Sequence, residues 1–182
     1  EYVRMRIHSI VEGTKVNGPG YRLGIWGQGC RRNCPGCFNR AACSVTGGRE
    51  YPVQEILKFL HKQPYDGISV SGGEPFEQEQ ELALLLKGAK ESGVNTLVFT
   101  GYTYEEIAGS SAVQYCDFLI DGPYIREIES TCLYTGSGNQ RFLRLNKGMI
   151  TEDLTDRAGN GAESEIIISS DGVITVTGFG TL

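Results

Sequence analysis

Three of the six cysteines fall within eight residues, in the order Cys30-Arg31-Arg32-Asn33-Cys34-Pro35-Gly36-Cys37. Three thiolates on one short loop reach a single metal centre, either an iron–sulfur cluster or a zinc ion. A cubane cluster normally takes four cysteines. Three leave one iron without a protein ligand, and an open coordination position is what catalysis at a metal needs. Two other chemistries compete. A structural zinc site, as in a zinc-binding interaction module, wants a closed tetrahedral set with Cys43 as its fourth ligand. A dithiol redox motif would use Cys34-Pro35-Gly36-Cys37 alone and leave Cys30 unexplained. Such crowding reads as metal or redox chemistry in a reducing compartment, not as a disulfide framework. Cys116 and Cys132 read as ordinary packed thiols, because free cysteine behaves as a small hydrophobe.

Further special sequences each follow a short apolar run: Gly72-Gly73-Glu74-Pro75, Thr100-Gly101-Tyr102 and Asp121-Gly122-Pro123. Taken singly they are turn material: a Gly-Gly-Glu turn, two strand-end residues, and an Asp before Gly-Pro. What raises them is where the surrounding elements put them. Residues 6–11 and 21–26 read as strands joined by the glycine-rich 12–20, and the cysteines follow the second strand directly. Residues 53–60 carry apolar side chains at i, i+3, i+4 and i+7, the pattern of an amphipathic helix. Strand 67–71, helix 78–92, strand 95–100, short helix 104–109 and strand 117–121 follow. This alternation predicts a mainly parallel sheet with crossover helices, whose sites lie at the carboxyl ends of the strands. All four motifs then share one rim. A complete eightfold barrel takes about 250 residues, so the expected architecture is α/β, a partial, open (β/α) barrel. It divides into residues 1–145 and a C-terminal extension, 146–182, packed on the same domain.

The extension is polar and aperiodic until 165–170 and 173–177, two β-rich runs around Asp171-Gly172. That pair signals a hairpin. A two-residue turn would set Ile167 opposite Val176 and Ser169 opposite Ile174, leaving both faces partly apolar. A lone hairpin is marginal in water, so it either closes the barrel's bottom or edge, or serves as a docking surface for a partner.

Composition narrows the classes of function. With 17 basic and 22 acidic residues the net charge is −5, and no Lys/Arg run offers a nucleic-acid footprint. No apolar run approaches the roughly 20 residues of a membrane span. Glu1-Tyr2-Val3-Arg4-Met5 lacks both the order of a secretory signal and an initiator Met, which points to a cytoplasmic chain with a trimmed start. The 25 glycines are about twice the usual share of roughly 7% and belong to the loops.

The three cysteines after a strand, followed by Gly72-Gly73-Glu74-Pro75, resemble the radical S-adenosylmethionine (SAM) superfamily. The resemblance is greatest to the activating enzymes of anaerobic ribonucleotide reductase, through several further motifs. These are Asn17-Gly18-Pro19-Gly20, Gly29-Cys30, Cys34-Pro35-Gly36-Cys37-Phe38-Asn39, Thr100-Gly101-Tyr102, Asp121-Gly122 and Gly136-Ser137-Gly138-Asn139-Gln140, and they cover residues 8–145. It implies that Cys30, Cys34 and Cys37 hold a [4Fe-4S] cluster and that the methionine moiety of SAM fills the fourth iron's site. Gly72, Gly73, Glu74 and Pro75 would meet its amino group, where two glycines permit close backbone approach and a carboxylate favours an ammonium. Phe38 would shield the cluster, Thr100, Gly101 and Tyr102 would line the ribose and adenine side, and Asp121 would stand at the floor. No side chain is assigned a catalytic role, since the cofactor carries the hard chemistry. The implied reaction is reductive cleavage of SAM to a 5′-deoxyadenosyl radical, which takes a hydrogen from a glycine Cα on a glycyl-radical enzyme. The implied electron source is a flavodoxin or a similar donor. Within the superfamily, modification of a small pterin-like molecule or of a precursor peptide is the competing reading. The chain departs from the family in two places: residues 130–135 lack a tryptophan before Gly136, and the tail from Asn146 is long.

Overall fold

The structure is a computed structural model that describes residues 2–159, 161 and 163–179. Glu1, Asn160, Ala162 and residues 180–182 lie outside the described residues, and with them parts of the readings of the start and of the tail. Strand β1 (Arg4–Thr14) is longer than its apolar alternation suggests and turns back into β2 (Arg22–Gly27). After the cysteine loop comes β3 (Arg49–Pro52), which pairs with the start of β1 at the sheet edge. It escapes sequence reading because its Arg-Glu-Tyr-Pro carries no apolar alternation. Helix α1 (Val53–Lys58) ends sooner than the periodicity predicts and continues as a 3-10 turn, Phe59–His61. Next come β4 (Gly67–Gly72), α2 (Glu79–Glu91), β5 (Asn95–Phe99), α3 (Tyr104–Ile107) and β6 (Phe118–Asp121). Strands β7 (Arg141–Asn146) and β8 (Met149–Asp153), which the sequence reading lacks, complete an eight-stranded sheet.

The strand order is β3-β1-β2-β4-β5-β6-β7-β8, so the two ends of the sheet do not pair and no closed barrel forms among the described residues. The expected parallel pairing holds for β2-β4-β5-β6. The flanking strands β1, β3, β7 and β8 are antiparallel.

One face of this sheet buries Leu23, Ile25, Ile68, Val70 and Leu119 against the helices. From α2 come Leu82, Leu85, Leu86 and Ala89, spaced as one helical stripe. Each fully buried leucine is worth roughly 1.5–3 kcal/mol. A second, smaller core gathers Leu97, Ile120, Cys132 and Phe142. Near it lies a fully buried Arg22, whose Nε donates to Ser69 Oγ (2.7 Å) and whose Nη groups donate to the carbonyls of Pro19 (2.8 Å) and Ile68 (2.7 Å). Burial pulls its pKa down to about 10, with Asp66 opposing. Ser69 Oγ in turn donates to the carbonyl of Asn17 (2.6 Å), so Asn17-Gly18-Pro19-Gly20 is pinned to the middle of the sheet.

The tail forms the expected hairpin, β9 (Ser164–Ile168) and β10 (Ile174–Gly178), as a separate two-stranded sheet. Its register differs by one residue from the two-residue-turn expectation: Ile168 faces Ile174, Ile167 faces Thr175 and Ile166 faces Val176. The cause is a three-residue loop, Ser170-Asp171-Gly172. Gly172, at φ +85°, donates its N–H to Ser169 O (2.9 Å), and Ser169 N–H closes on Val173 O (2.9 Å). A glycine in the left-handed region after a tight turn absorbs the extra residue as a bulge. A one-residue slip exchanges the faces. Ile166, Ile168, Ile174 and Val176 now share one exposed face. On the other face Thr177 is buried, and its Oγ1 accepts a hydrogen bond from Asn17 Nδ2 (2.6 Å). No helix among the described residues is long and apolar enough to cross a membrane.

Candidate active site

Parallel pairing brings the carboxyl ends of β2 and β4 side by side, Gly27 opposite Gly72, with the ends of β5 and β6 beyond them. The cysteine loop leaves β2 at this rim and is held there by its own return. Gly29 N–H donates to Ala42 O (2.7 Å) and Cys30 N–H to Cys43 O (3.0 Å). A cavity of about 110 Å³ opens at the rim, lined by Cys30, Cys34 and Cys37 together with Gly72, Gly73 and Glu74. Phe38, Thr100 and Gly101 line it as well. Nine of the twelve residues expected at the site therefore meet around one space.

The other three stand off its wall. Pro75 is buried at the start of the 3-10 turn Pro75–Gln78. Tyr102 lies under the guanidinium of Arg32, 4.5 Å from its ring centre, and Arg32 itself lines the cavity. Asp121 is 1% exposed and spends its carboxylate on structure. It accepts from Tyr104 N–H (2.6 Å) and Arg141 Nε (3.0 Å), tying the end of β6 to α3 and β7.

Sequence reasoning missed Arg32, Phe99, Tyr124 and Phe179 as lining residues. Phe179 comes from the far end of the tail, its ring 5.4 Å from that of Phe38, and no local pattern marks it. Cys43, considered only as a zinc ligand, also lines the cavity. Burial, followed by the neighbouring Cys37, raises its pKa to about 11, and burial raises that of Cys30 too. The donor set suits an iron–sulfur cluster, since three thiols face one cavity from one loop. They do not stand as a converged group: among the described residues no three Cys, His, Asp or Glu side chains form a ready metal-binding set. Ligation asks for loss of the thiol protons, and a cubane, which takes each thiolate on a different iron, does not need the three sulfurs to converge on one point.

The Gly-Gly-Glu segment has a structural duty that sequence alone did not reveal. A Cβ on Gly72 would stand 2.4 Å from Gly27 O, and one on Gly73 would stand 2.2 Å from Gly29 O. The glycines are thus demanded by the neighbouring backbone. Glu74 is 3% exposed, and its carboxylate accepts from Thr100 Oγ1 (2.8 Å), Gly101 N–H (2.8 Å) and Phe76 N–H (3.1 Å). It clamps the loop after β5 to the loop after β4. Burial raises its pKa above the ordinary 4.5, against the pull of those three donors. Glu74→Ala should strand the donors at a net cost of roughly 2 kcal/mol, since buried unsatisfied groups cost about 1–3 kcal/mol each and the lost buried charge offsets part. A raised native pKa means that wild-type stability falls as pH climbs from 4.5 through the native value. Denaturant titrations should therefore find the gap between wild type and Glu74→Ala narrowing as pH rises, and a widening gap would contradict this account.

Comparison with known proteins places these features. Residues 16–143 match the family described as a 4Fe-4S single cluster domain. The anaerobic ribonucleoside-triphosphate reductase-activating protein of Enterobacteria phage T4 is 30% identical over 145 residues, covering 76% of this chain and 93% of its own. Its counterpart in Escherichia coli (strain K12) is 31% identical over 149 residues, covering 75% and 96%. The pyruvate formate-lyase-activating enzyme of Clostridium pasteurianum is 36% identical over 148 residues, covering 75% of this chain and 60% of that enzyme. Among solved structures, QueE from Escherichia coli superposes with a TM-score of 0.45 at 15% identity over 55% of this chain and 54% of its own. With a cysteine-lined cavity at the strand ends and matches that span most of its length, the chain belongs to the 4Fe-4S single-cluster family that includes the anaerobic ribonucleoside-triphosphate reductase-activating proteins.

Proposed function

We propose that this chain is a radical SAM activase, cytoplasmic, acting on a glycyl-radical enzyme of the anaerobic ribonucleotide reductase type and drawing electrons from flavodoxin or a similar donor. One observation carries the reading: three cysteines and the strand-end glycines line a single cavity on an eight-stranded sheet whose ends do not pair among the described residues, an arrangement that suits a partial, open barrel. When bound, the cluster and SAM supply reductive cleavage to methionine and a 5′-deoxyadenosyl radical, which abstracts a glycine Cα hydrogen. The protein's own part is to bind, orient and shield. Cys30, Cys34 and Cys37 would ligate three irons. The backbone of Gly72 and Gly73 would receive the amino group of SAM, with Glu74 holding the Gly101 loop in place beside it. Thr100, Gly101 and Tyr102 would line the ribose and adenine, Tyr102 steadied by Arg32, while Asp121 fixes the end of β6. Phe38, 54% exposed and packed edge-on to Phe179, would keep water from the cluster.

The test is electron paramagnetic resonance without oxygen, on the reconstituted chain with dithionite or a flavodoxin system, SAM and the organism's anaerobic reductase. A stable doublet on the large partner, with 5′-deoxyadenosine formed, is expected. SAM cleavage with no doublet on any protein of the native lysate would favour a small-molecule substrate and overturn the activase.

A further inference from the structure

Among the described residues the tail hairpin leaves one strand edge without a partner strand, and that edge borders a second cavity. Among the described residues β10 pairs with β9 alone. In an antiparallel pair the hydrogen-bonded positions alternate. Ser169 N–H donates to Val173 O and Phe179 N–H to Glu163 O, both at 2.9 Å, so the odd-numbered residues from 173 to 179 carry the bonds to β9 and its extension. Ile174, Val176 and Gly178 therefore turn their N–H and C=O groups away from β9. This free edge offers five residues, a length of roughly 16 Å at about 3.3 Å per residue.

The whole of β10 lines a cavity of about 430 Å³, which it shares with Ser9 and Val11 of β1, Trp26 of β2 and Ser71 of β4. Phe38, Ser71 and Phe179 line both this cavity and the one that holds the three cysteines. The larger space thus adjoins the reaction site, and the Phe38/Phe179 ring pair stands at the boundary between the two. A row of alternating backbone donors and acceptors is matched by another backbone in extended form, not by a compact small molecule. The anchor of β10 is built in: Thr177 is buried and bonded to Asn17, so the strand is held against the sheet while its edge stays open.

We propose that β10 receives an extended, glycine-bearing segment of the protein substrate as a third strand, laid between β10 and the wall formed by β1 and β2. The segment enters the cysteine cavity past Phe38 and Phe179. This rests on the activase reading and specifies how that enzyme takes its polypeptide. It also gives the long tail a task that the sequence left open between closure and docking.

The experiment follows amide hydrogen exchange of the cluster-loaded chain with and without the organism's anaerobic ribonucleotide reductase. Exchange at Ile174, Val176 and Gly178 should slow at least tenfold on adding the reductase, while Thr175 and Thr177, already bonded to β9, change less than twofold. In parallel, Val176→Pro removes one free-edge N–H and leaves the ladder to β9 intact, a substitution that edge strands tolerate. Reductase binding should weaken at least tenfold. Protection at Thr175 and Thr177 reports whether the variant keeps its hairpin; if it does not, exchange in the wild-type chain decides. Wild-type affinity in a folded Val176→Pro, or an unprotected edge in a complex that still forms the glycyl radical, would overturn strand addition and leave the activase standing. Edge protection that grows with chain concentration in the absence of reductase would assign the edge to a second copy and overturn the proposal. Failure of the wild type to bind the reductase or to give it a radical would remove the activase reading and this inference together.

Discussion

Replacing Cys30, Cys34 or Cys37 by Ala should give a folded chain that binds no cluster, with iron content and visible absorbance after anaerobic reconstitution falling to background in each case. All three side chains are partly exposed, so truncation opens no hole in either core. Stability should move within about 0.5 kcal/mol, as for other changes away from packed positions. Losing one of three ligands leaves a cubane with two open irons, which a loop of this kind does not retain. Cys43→Ala is the informative contrast. Its thiol lines the same cavity and stands beside Cys37, but it belongs to the return turn Arg40–Cys43 and reaches the carbonyl of Asn39 at 3.6 Å. Iron content should stay within twofold of wild type. Loss of the cluster in Cys43→Ala with retention in Cys30→Ala would defeat the three-ligand assignment and with it the open iron.

Gly73→Val should be the most damaging single substitution at the rim, costing at least about 3 kcal/mol, at the upper end of overpacking. Its Cβ would come within 2.2 Å of Gly29 O and 2.9 Å of Gly29 N, and backbone atoms cannot swing aside as a side-chain tip can. Gly29 holds φ +105° immediately before Cys30, so any relief must move the first cysteine. Gly73 N–H to Gly27 O (2.8 Å) and Glu74 N–H to Gly29 O (2.9 Å) would be strained by the same displacement. The expected result is a drop in thermal midpoint of many degrees together with loss of cluster and SAM binding. A folded Gly73→Val of wild-type stability that loses only SAM affinity would mean that the glycine serves the ligand and not the neighbouring strand.

Local patterns carried much of this molecule. The cysteine spacing, the apolar stripe of α2 and the alternation of strands with helices were readable because each depends on residues a few positions apart. Together they placed the cysteines, Gly72, Gly73 and Thr100 on one rim, since parallel strands align their ends. The edge strand β3 and the pair β7 and β8 were not readable. Short, half-exposed strands carry little apolar alternation, and their pairing is settled by the neighbour they meet. The hairpin was legible at Asp171-Gly172, but its register was not, because the choice between a two- and a three-residue loop depends on the conformation Gly172 adopts. Contacts distant in sequence were invisible too. The carboxylate of Glu74 is committed to Thr100 and Gly101, Asp121 turns to Arg141, and Phe179 returns from the tail to Phe38. Residue type and spacing state which chemistry a loop can support; the partner each buried polar group takes, and which aromatic ring closes the site, follow from the packing of segments that chain order keeps far apart.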